Sequence, residues 1–231
     1  MARLAAALPI LFLLSSLSAA AQSASRPGPW ALDVRGVTSP VPMEPAFYPA
    51  LDSTTLVPGR GFGLDLGVHV YPLSLGSARL GFGADVFYVR ATTKPSPPAP
   101  STGSSATPAP AGQRVELTMR MLAPQISLNF GTREGWSYLS TGFGTTDVAT
   151  RTSGVSAGTR GSSRLDAINI GGGARWFFKS HLAFGFDVRM HQIASGTAGQ
   201  TGTREANAPT PAPVATPGMR ILTVAVGFSM K

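Results

Sequence analysis

Ten charged residues stand singly among apolar or glycine-rich neighbours: Asp33, Arg35, Asp65, Arg79, Asp85, Glu116, Arg120, Arg175, Asp187 and Arg189. If they share one flank of a sheet, five acids meet five bases. Buried charges persist mainly when paired, so a salt-bridged plug is the first expectation and a narrow polar conduit the second. Histidine is scarce: His69, His181 and His191 fall in different segments, so neither a shared metal site nor a histidine catalytic pair is expected. Gly61-x-Gly63-x-x-x-Gly67 has the texture of a dinucleotide-binding turn, which requires a strand, then glycines, then a helix N-terminus. Here the glycines lie inside an alternating pattern and recur at 81–83 and 142–144. They are read as small inward residues of a tightly coiled sheet. Cysteine is absent, which excludes disulfides, cysteine zinc sites, thiol catalysis and a lipoprotein anchor. No cofactor is implied.

The elements that must position these charges follow from period-two alternation. Eight strand candidates lie near 29–38, 61–71, 79–90, 114–130, 136–149, 164–178, 182–193 and 219–230. Phe62, Leu64, Leu66, Val68 and Val70 share one flank of the second; Asp65 and His69 share the other. The seventh sets Leu182, Phe184, Phe186, Val188 and Met190 against Asp187, Arg189 and His191. The apolar flank is read as free of charge, since a Lys or Arg at a lipid midplane costs about 2–4 kcal/mol. In the fourth strand Val115, Leu117, Met119 and Met121 are odd-numbered while Ile126, Leu128 and Phe130 are even, which predicts a β-bulge at Leu122-Ala123-Pro124. Connectors 39–60, 91–113, 150–163 and 194–218 are long; 72–78, 131–135 and 179–181 are short. Such strict segregation fits a transmembrane barrel with short periplasmic turns and long external loops. Aromatic residues predict a girdle: Trp30, Tyr71, Trp136, Tyr138, Trp176, Phe177 and Phe178 at the periplasmic ends, Phe87 and Tyr88 at the opposite rim.

Composition agrees. Charged residues are 13%, Gly and Pro number 27 and 20, and no apolar run beyond the first twenty residues could form a membrane helix. The net charge of +8 comes mostly from scattered Arg with no basic run, so nucleic acid is not an expected partner. Residues 1–21 read as a cleaved secretory signal: Arg3, the apolar stretch Leu4 to Leu17, and Ala19-Ala20-Ala21 before Gln22. Residues 22–28 would be a short periplasmic segment and 29–231 the barrel domain.

On Gly61-Phe62-Gly63-Leu64-Asp65, Trp136-Ser137-Tyr138-Leu139-Ser140-Thr141-Gly142-Phe143-Gly144, Ile168-Asn169-Ile170-Gly171-Gly172-Gly173-Ala174-Arg175-Trp176 and the last strand, the chain resembles the small bacterial outer-membrane β-barrel superfamily of OmpA-type and OmpW-type barrels. The resemblance spans roughly residues 29–231. It implies an all-β, eight-stranded, antiparallel up-and-down barrel in the outer membrane, inserted by the barrel assembly machinery. Family members end their last strand on an aromatic residue; here Phe228 is followed by Ser229, Met230 and Lys231. Lipid A deacylases of similar size carry His-x-Ser on a strand, and none of the three histidines here has Ser two positions on. A non-enzymatic structural or surface-interaction role is therefore expected first, a narrow pore or transporter for small or hydrophobic solutes second, and a lipid-modifying barrel third. The proline-rich stretches 95–110 and 194–218 cannot bury enough apolar surface to fold alone. Outer-membrane lipids are expected partners, with Arg151, Arg160 and Arg164 available to lipopolysaccharide phosphates.

Overall fold

A computed structural model describes residues 27–48, 51, 56–93, 114–132, 134–153, 159–201 and 214–231. The expected leader, residues 22–26 and most of the proline-rich connectors lie outside the described residues, as does the side chain of Arg160. Ten strands are formed among the described residues: β1 (Trp30–Pro40), β2 (Arg60–Leu75), β3 (Ala78–Thr92), β4 (Arg114–Gly131), β5 (Gly135–Ser153), β6 (Thr159–Phe177), β7 (Leu182–Ile193), β8 (Gly196–Thr201), β9 (Val214–Thr216) and β10 (Met219–Met230). Strands β1 to β7 and β10 pair antiparallel in a closed ring, completed by β5 with β6 and β1 with β10. The short hairpin β8–β9 joins the free edge of β6 at Arg160–Ser162.

Alternation sets the register. Along β1 and β2, Leu32 faces Val68 and Val34 faces Leu66 on the outside, while Arg35 faces Asp65 on the inside. A one-residue slip would put the charges in contact with whatever surrounds the barrel, so the pairing has one acceptable answer. At one end the connections are short, at 76–77, 132–134 and 178–181; the opposite end carries the longer ones. The third of these departs from expectation. β5 and β6 stay paired as far as Thr152 with Thr159, so only 154–158 connects them. Small and polar residues such as Thr150, Thr152, Gly161 and Ser163 fill the inward positions there, and their lack of apolar contrast concealed the strand.

The predicted bulge in β4 is also absent. Its pairing with β3 is unbroken from Ala78–Phe130 to Thr92–Glu116, and inward burial alternates without a shift. The register shift falls instead in β2, between Val70 and Leu73, where Pro72 cannot donate to the ladder. The odd residues Val115, Leu117, Met119 and Met121 therefore all point inward, each at most 3% exposed.

That correction exposes the plan of the molecule. Toward the short-turn end, the outer surface is an apolar belt including Leu66, Val68, Ile126, Leu139, Ile170 and Val226, each 42–60% exposed. Its interior is polar. Toward the loop end the two faces exchange: the interior holds Val37, Val89, Val115, Leu117, Met119, Val148, Leu165, Ile193 and Ile221, all buried. Outside are Arg90, Arg120, Asp147, Arg151, Arg164 and Arg220, so the outward flank is charge-free only along the belt. A segment of barrel surrounded by water needs an apolar core, whereas one surrounded by hydrocarbon can hold polar groups inside. From Leu122 to Phe130 on β4, and from Ile168 to Trp176 on β6, the belt spans eight steps, about 26 Å of strand at ~3.3 Å each.

Candidate functional site

The polar lumen is built by all eight barrel strands. Asp33 of β1 is fully buried and accepts a fork from Arg175 of β6, Nε to Oδ1 at 2.8 Å and Nη2 to Oδ2 at 2.7 Å. Arg35 reaches the same carboxylate at 2.7 Å and Asp65 at 2.6 Å. Arg189 of β7 donates to Asp187, to Asn169 Oδ1 at 2.8 Å and to Ser140 Oγ at 2.8 Å. Gln125 donates to Asn169, and the His69 Nε2–H donates to Gln125 Oε1 at 3.2 Å. Guanidinium–carboxylate forks, with an amide and a hydroxyl taking the remaining Arg189 donors, are what make buried charge tolerable.

Tyr138 ties the two halves together. Its hydroxyl donates to Asp187 at 2.8 Å, and its ring lies 4.1 Å from the Arg175 guanidinium and 5.7 Å from that of Arg35. Inward glycines make room for these rings. A Cβ on Gly173 would lie 2.8 Å from the Tyr138 hydroxyl and 1.9 Å from Phe186 O, and one on Gly83 would meet the His69 ring at 2.4 Å.

Seven of the ten expected lumen charges meet here: Asp33, Arg35, Asp65, Asp85, Arg175, Asp187 and Arg189, each at most 4% exposed. Three do not. Arg79 shares the inward flank but sits at the short-turn rim, its guanidinium 3.5 Å from Tyr71 O. Glu116 and Arg120 lie on the outer face, because the unbroken alternation of β4 turns even residues outward. Glu116 pairs with Arg90 at 2.7 Å, and Arg120 lies over the Tyr88 ring at 5.5 Å. Among the described residues the lumen is thus four carboxylates against three guanidiniums. Asp85 is the least partnered: its Oδ2 lies 3.7 Å from Arg189 Nε, which already serves Asp187.

The expected girdle is halved by the same rule. Trp30, Trp176 and Phe178 face outward, 41%, 52% and 57% exposed. Tyr71, Trp136, Tyr138 and Phe87 point inward and are buried, because they share parity with inward His69, Ser140 and Asp85. Aromatic preference for an interface yields to strand phase. Phase alone places Tyr138 inward, as it does Tyr71, Trp136 and Phe87, while Gln125 and Asn169 carry no contrast beyond their position in the alternation.

Two groups of side chains lie at the ends of the lumen. At the short-turn end the Lys231 ammonium lies 5.0 Å from the Trp136 ring and 3.8 Å from that of Phe177. At the loop end a 3₁₀ turn, Pro45–Phe47, inserts Phe47 and Tyr48 into the apolar chamber, both 3% exposed. Thr150 Oγ1 holds Phe47 O at 2.8 Å, and the Tyr48 hydroxyl donates to Pro42 O. Burial, with the Glu44 carboxylate adding to it, pushes the Tyr48 phenol above its usual range and keeps it a donor. Below that chamber Thr223 Oγ1 donates to Arg189 O and accepts from His191 Nε2 at 3.1 Å.

Together these features define a small closed antiparallel β-barrel with an apolar outer belt and, inside that belt, a lumen of paired charges. No protein-family model and no curated protein matches the chain. Among solved structures it is similar to neisserial surface protein A, at 10% identity over 88% of this chain and 97% of that one, with a TM-score of 0.48. It is also similar to a major outer membrane protein from Thermus thermophilus, at 12% identity over 87% and 98%, TM-score 0.47. A third is the outer membrane protein OprG from Pseudomonas aeruginosa, at 12% identity over 89% and 97%, TM-score 0.44. Each is a likeness of architecture.

Proposed function

We propose that the protein is an integral outer-membrane barrel, exported through a cleaved leader, with a non-catalytic structural and surface-display role and a closed lumen. The outward belt carries this reading. Large apolar side chains surround the barrel, many of them 40–68% exposed, whereas a water-soluble monomer tolerates apolar patches of about a few hundred Å². Hydrocarbon is the solvent that suits such a wall. The paired charges and the Phe47–Tyr48 stopper support closure, and the extended β5–β6 wall supports display beyond the bilayer. Arg60, Arg90, Arg120 and Arg220 lie on the outer face just above the belt, with Arg151 and Arg164 higher. Guanidiniums there suit lipopolysaccharide phosphates. Insertion would use the barrel assembly machinery.

Two measurements test this. The protein should fractionate with membranes and show heat-modifiable gel mobility; a species soluble without detergent would overturn the placement. In planar bilayers it should show no steady conductance, and stable discrete openings would overturn the closed lumen. One observation favours a second reading, carriage of small apolar solutes. The β1–β10 ladder ends at Thr38–Val224, although β1 continues to Pro40 and β10 starts at Met219, beside the apolar chamber. Uptake of an apolar dye into vesicles that contain the protein would support it.

A further inference from the structure

Above the belt, the outer faces of β4, β5 and β6 form a groove of about 460 Å³ that the lumen network does not use. Its floor is one cross-strand row of small side chains, Thr118, Ala149 and Ser162. The row on one side sets Arg120 opposite Asp147, and the row on the other sets Glu116 opposite Arg151. The two rows stand four residues apart along β5, about 13 Å at ~3.3 Å each. Both carboxylates are taken up elsewhere: Glu116 pairs with Arg90 at 2.7 Å, and Asp147 lies 3.9 Å from Arg164. Arg120 and Arg151 are exposed, and among the described residues neither holds an ion pair. Arg120 lies over the Tyr88 ring at 5.5 Å, a contact that leaves most of its five N–H donors to other partners. On β4, Arg120, Thr118 and Glu116 are the first three outward residues beyond Leu122 of the belt.

From this arrangement we infer that the groove binds the phosphorylated saccharide headgroup of lipopolysaccharide, edge-on from the surrounding leaflet. The inference deepens the surface role proposed above and rests on it. A guanidinium at each end meets a phosphate through paired N–H donors. The small-residue floor admits the sugar rings between them, and Glu116 and Asp147 accept hydrogen bonds from ring hydroxyls. A glycerophospholipid carries one phosphate and no ring to fill the floor between the two cations. A polysulfated glycan would set its anions against Glu116 and Asp147. The groove's place at the upper edge of the belt suits a ligand whose acyl chains lie in the same hydrocarbon.

Native mass spectrometry of the detergent-purified full chain, with short-chain lipopolysaccharide or the same material stripped of its phosphates added, tests the site. Wild-type protein should retain the phosphorylated form roughly tenfold better. Arg120→Gln and Arg151→Gln should each lower its retention by about the same factor, a charge-assisted contact being lost. Ala149→Trp removes no charge but fills the floor, and it should lower retention comparably. Lys179→Gln, which removes one positive charge at the short-turn end, should leave retention unchanged. Equal retention of the two forms by wild type would overturn the proposal. So would full retention by Ala149→Trp, which would reduce this face to scattered charge, or tighter binding of heparin, which would give the groove to sulfated glycans. Heat-modifiable mobility of each variant checks that the barrel is folded. A wild-type chain soluble without detergent would sink the membrane placement itself, so failure of the saccharide site is distinguishable from failure of that reading.

Discussion

Removing the Asp33 carboxylate is the sharpest test of the lumen. It holds Arg175 through two hydrogen bonds of 2.8 and 2.7 Å and Arg35 through a third contact of 2.7 Å, all fully buried. In Asp33→Ala, Arg35 retains Asp65 at 2.6 Å, but Arg175 loses the carboxylate it pairs with. A buried cation stripped of its partner costs about 3–5 kcal/mol. Replacing both members, Asp33→Leu with Arg175→Met, leaves Asp65, Asp85 and Asp187 with Arg35 and Arg189. Because both charges leave together, the double variant should be more stable than Asp33→Ala by about 2 kcal/mol or more. Urea unfolding in phospholipid vesicles, followed by tryptophan fluorescence, reads both; Trp136 lies 1% exposed in the same lumen. A loss below about 1 kcal/mol in Asp33→Ala would refute the reasoning, since it would mean that water solvates Arg175 freely.

The remaining expectations use the same unfolding assay. Asp85→Asn should leave stability unchanged or raise it, because four carboxylates share three guanidiniums and Asp85 holds its share at 3.7 Å; a fall as large as that of Asp33→Ala would contradict the charge count. On the outer wall, Leu139→Lys should cost about 2–4 kcal/mol, whereas Thr118→Lys, above the belt on β4, should cost under about 0.5. Equal costs would argue against hydrocarbon around the belt. Phe47→Ala should destabilise by about 3–5 kcal/mol. It should also admit an apolar fluorescent probe to the loop-end chamber; probe exclusion with full stability would show that Phe47 is no stopper. Gly173→Ala should cost about 1–3 kcal/mol, since its Cβ would sit 1.9 Å from Phe186 O, and a neutral outcome would mean the β6–β7 backbone yields there.

Much of the architecture was legible because alternation is a local property. Phe62 through Val70, or Leu182 through Met190, states which flank is apolar without reference to any other strand. Where contrast fades, so does legibility. Thr150, Thr152 and Gly161 continue β5 and β6 with small or polar residues on both flanks, a pattern that alternation alone does not distinguish from a loop. In β4 the contrast was present but pointed the wrong way. Val115, Leu117, Met119 and Met121 are apolar and inward, so hydrocarbon outside along the full strand would require a bulge that the ladder lacks.

By itself the sequence determined the strand number of the barrel, the paired phase of most strands and seven members of the lumen network, since each depends on neighbours two residues apart. Only the closed ring decided what surrounds each level of the wall. It set outward Glu116 and Arg120 beyond the apolar belt, packed inward Tyr71, Trp136 and Tyr138 into the lumen, and brought Asp33 to Arg175 across 142 positions of chain. The physical reason is that a side chain's flank is set by its own strand, whereas the medium on that flank is set by height along the barrel, which depends on the register of all eight strands together.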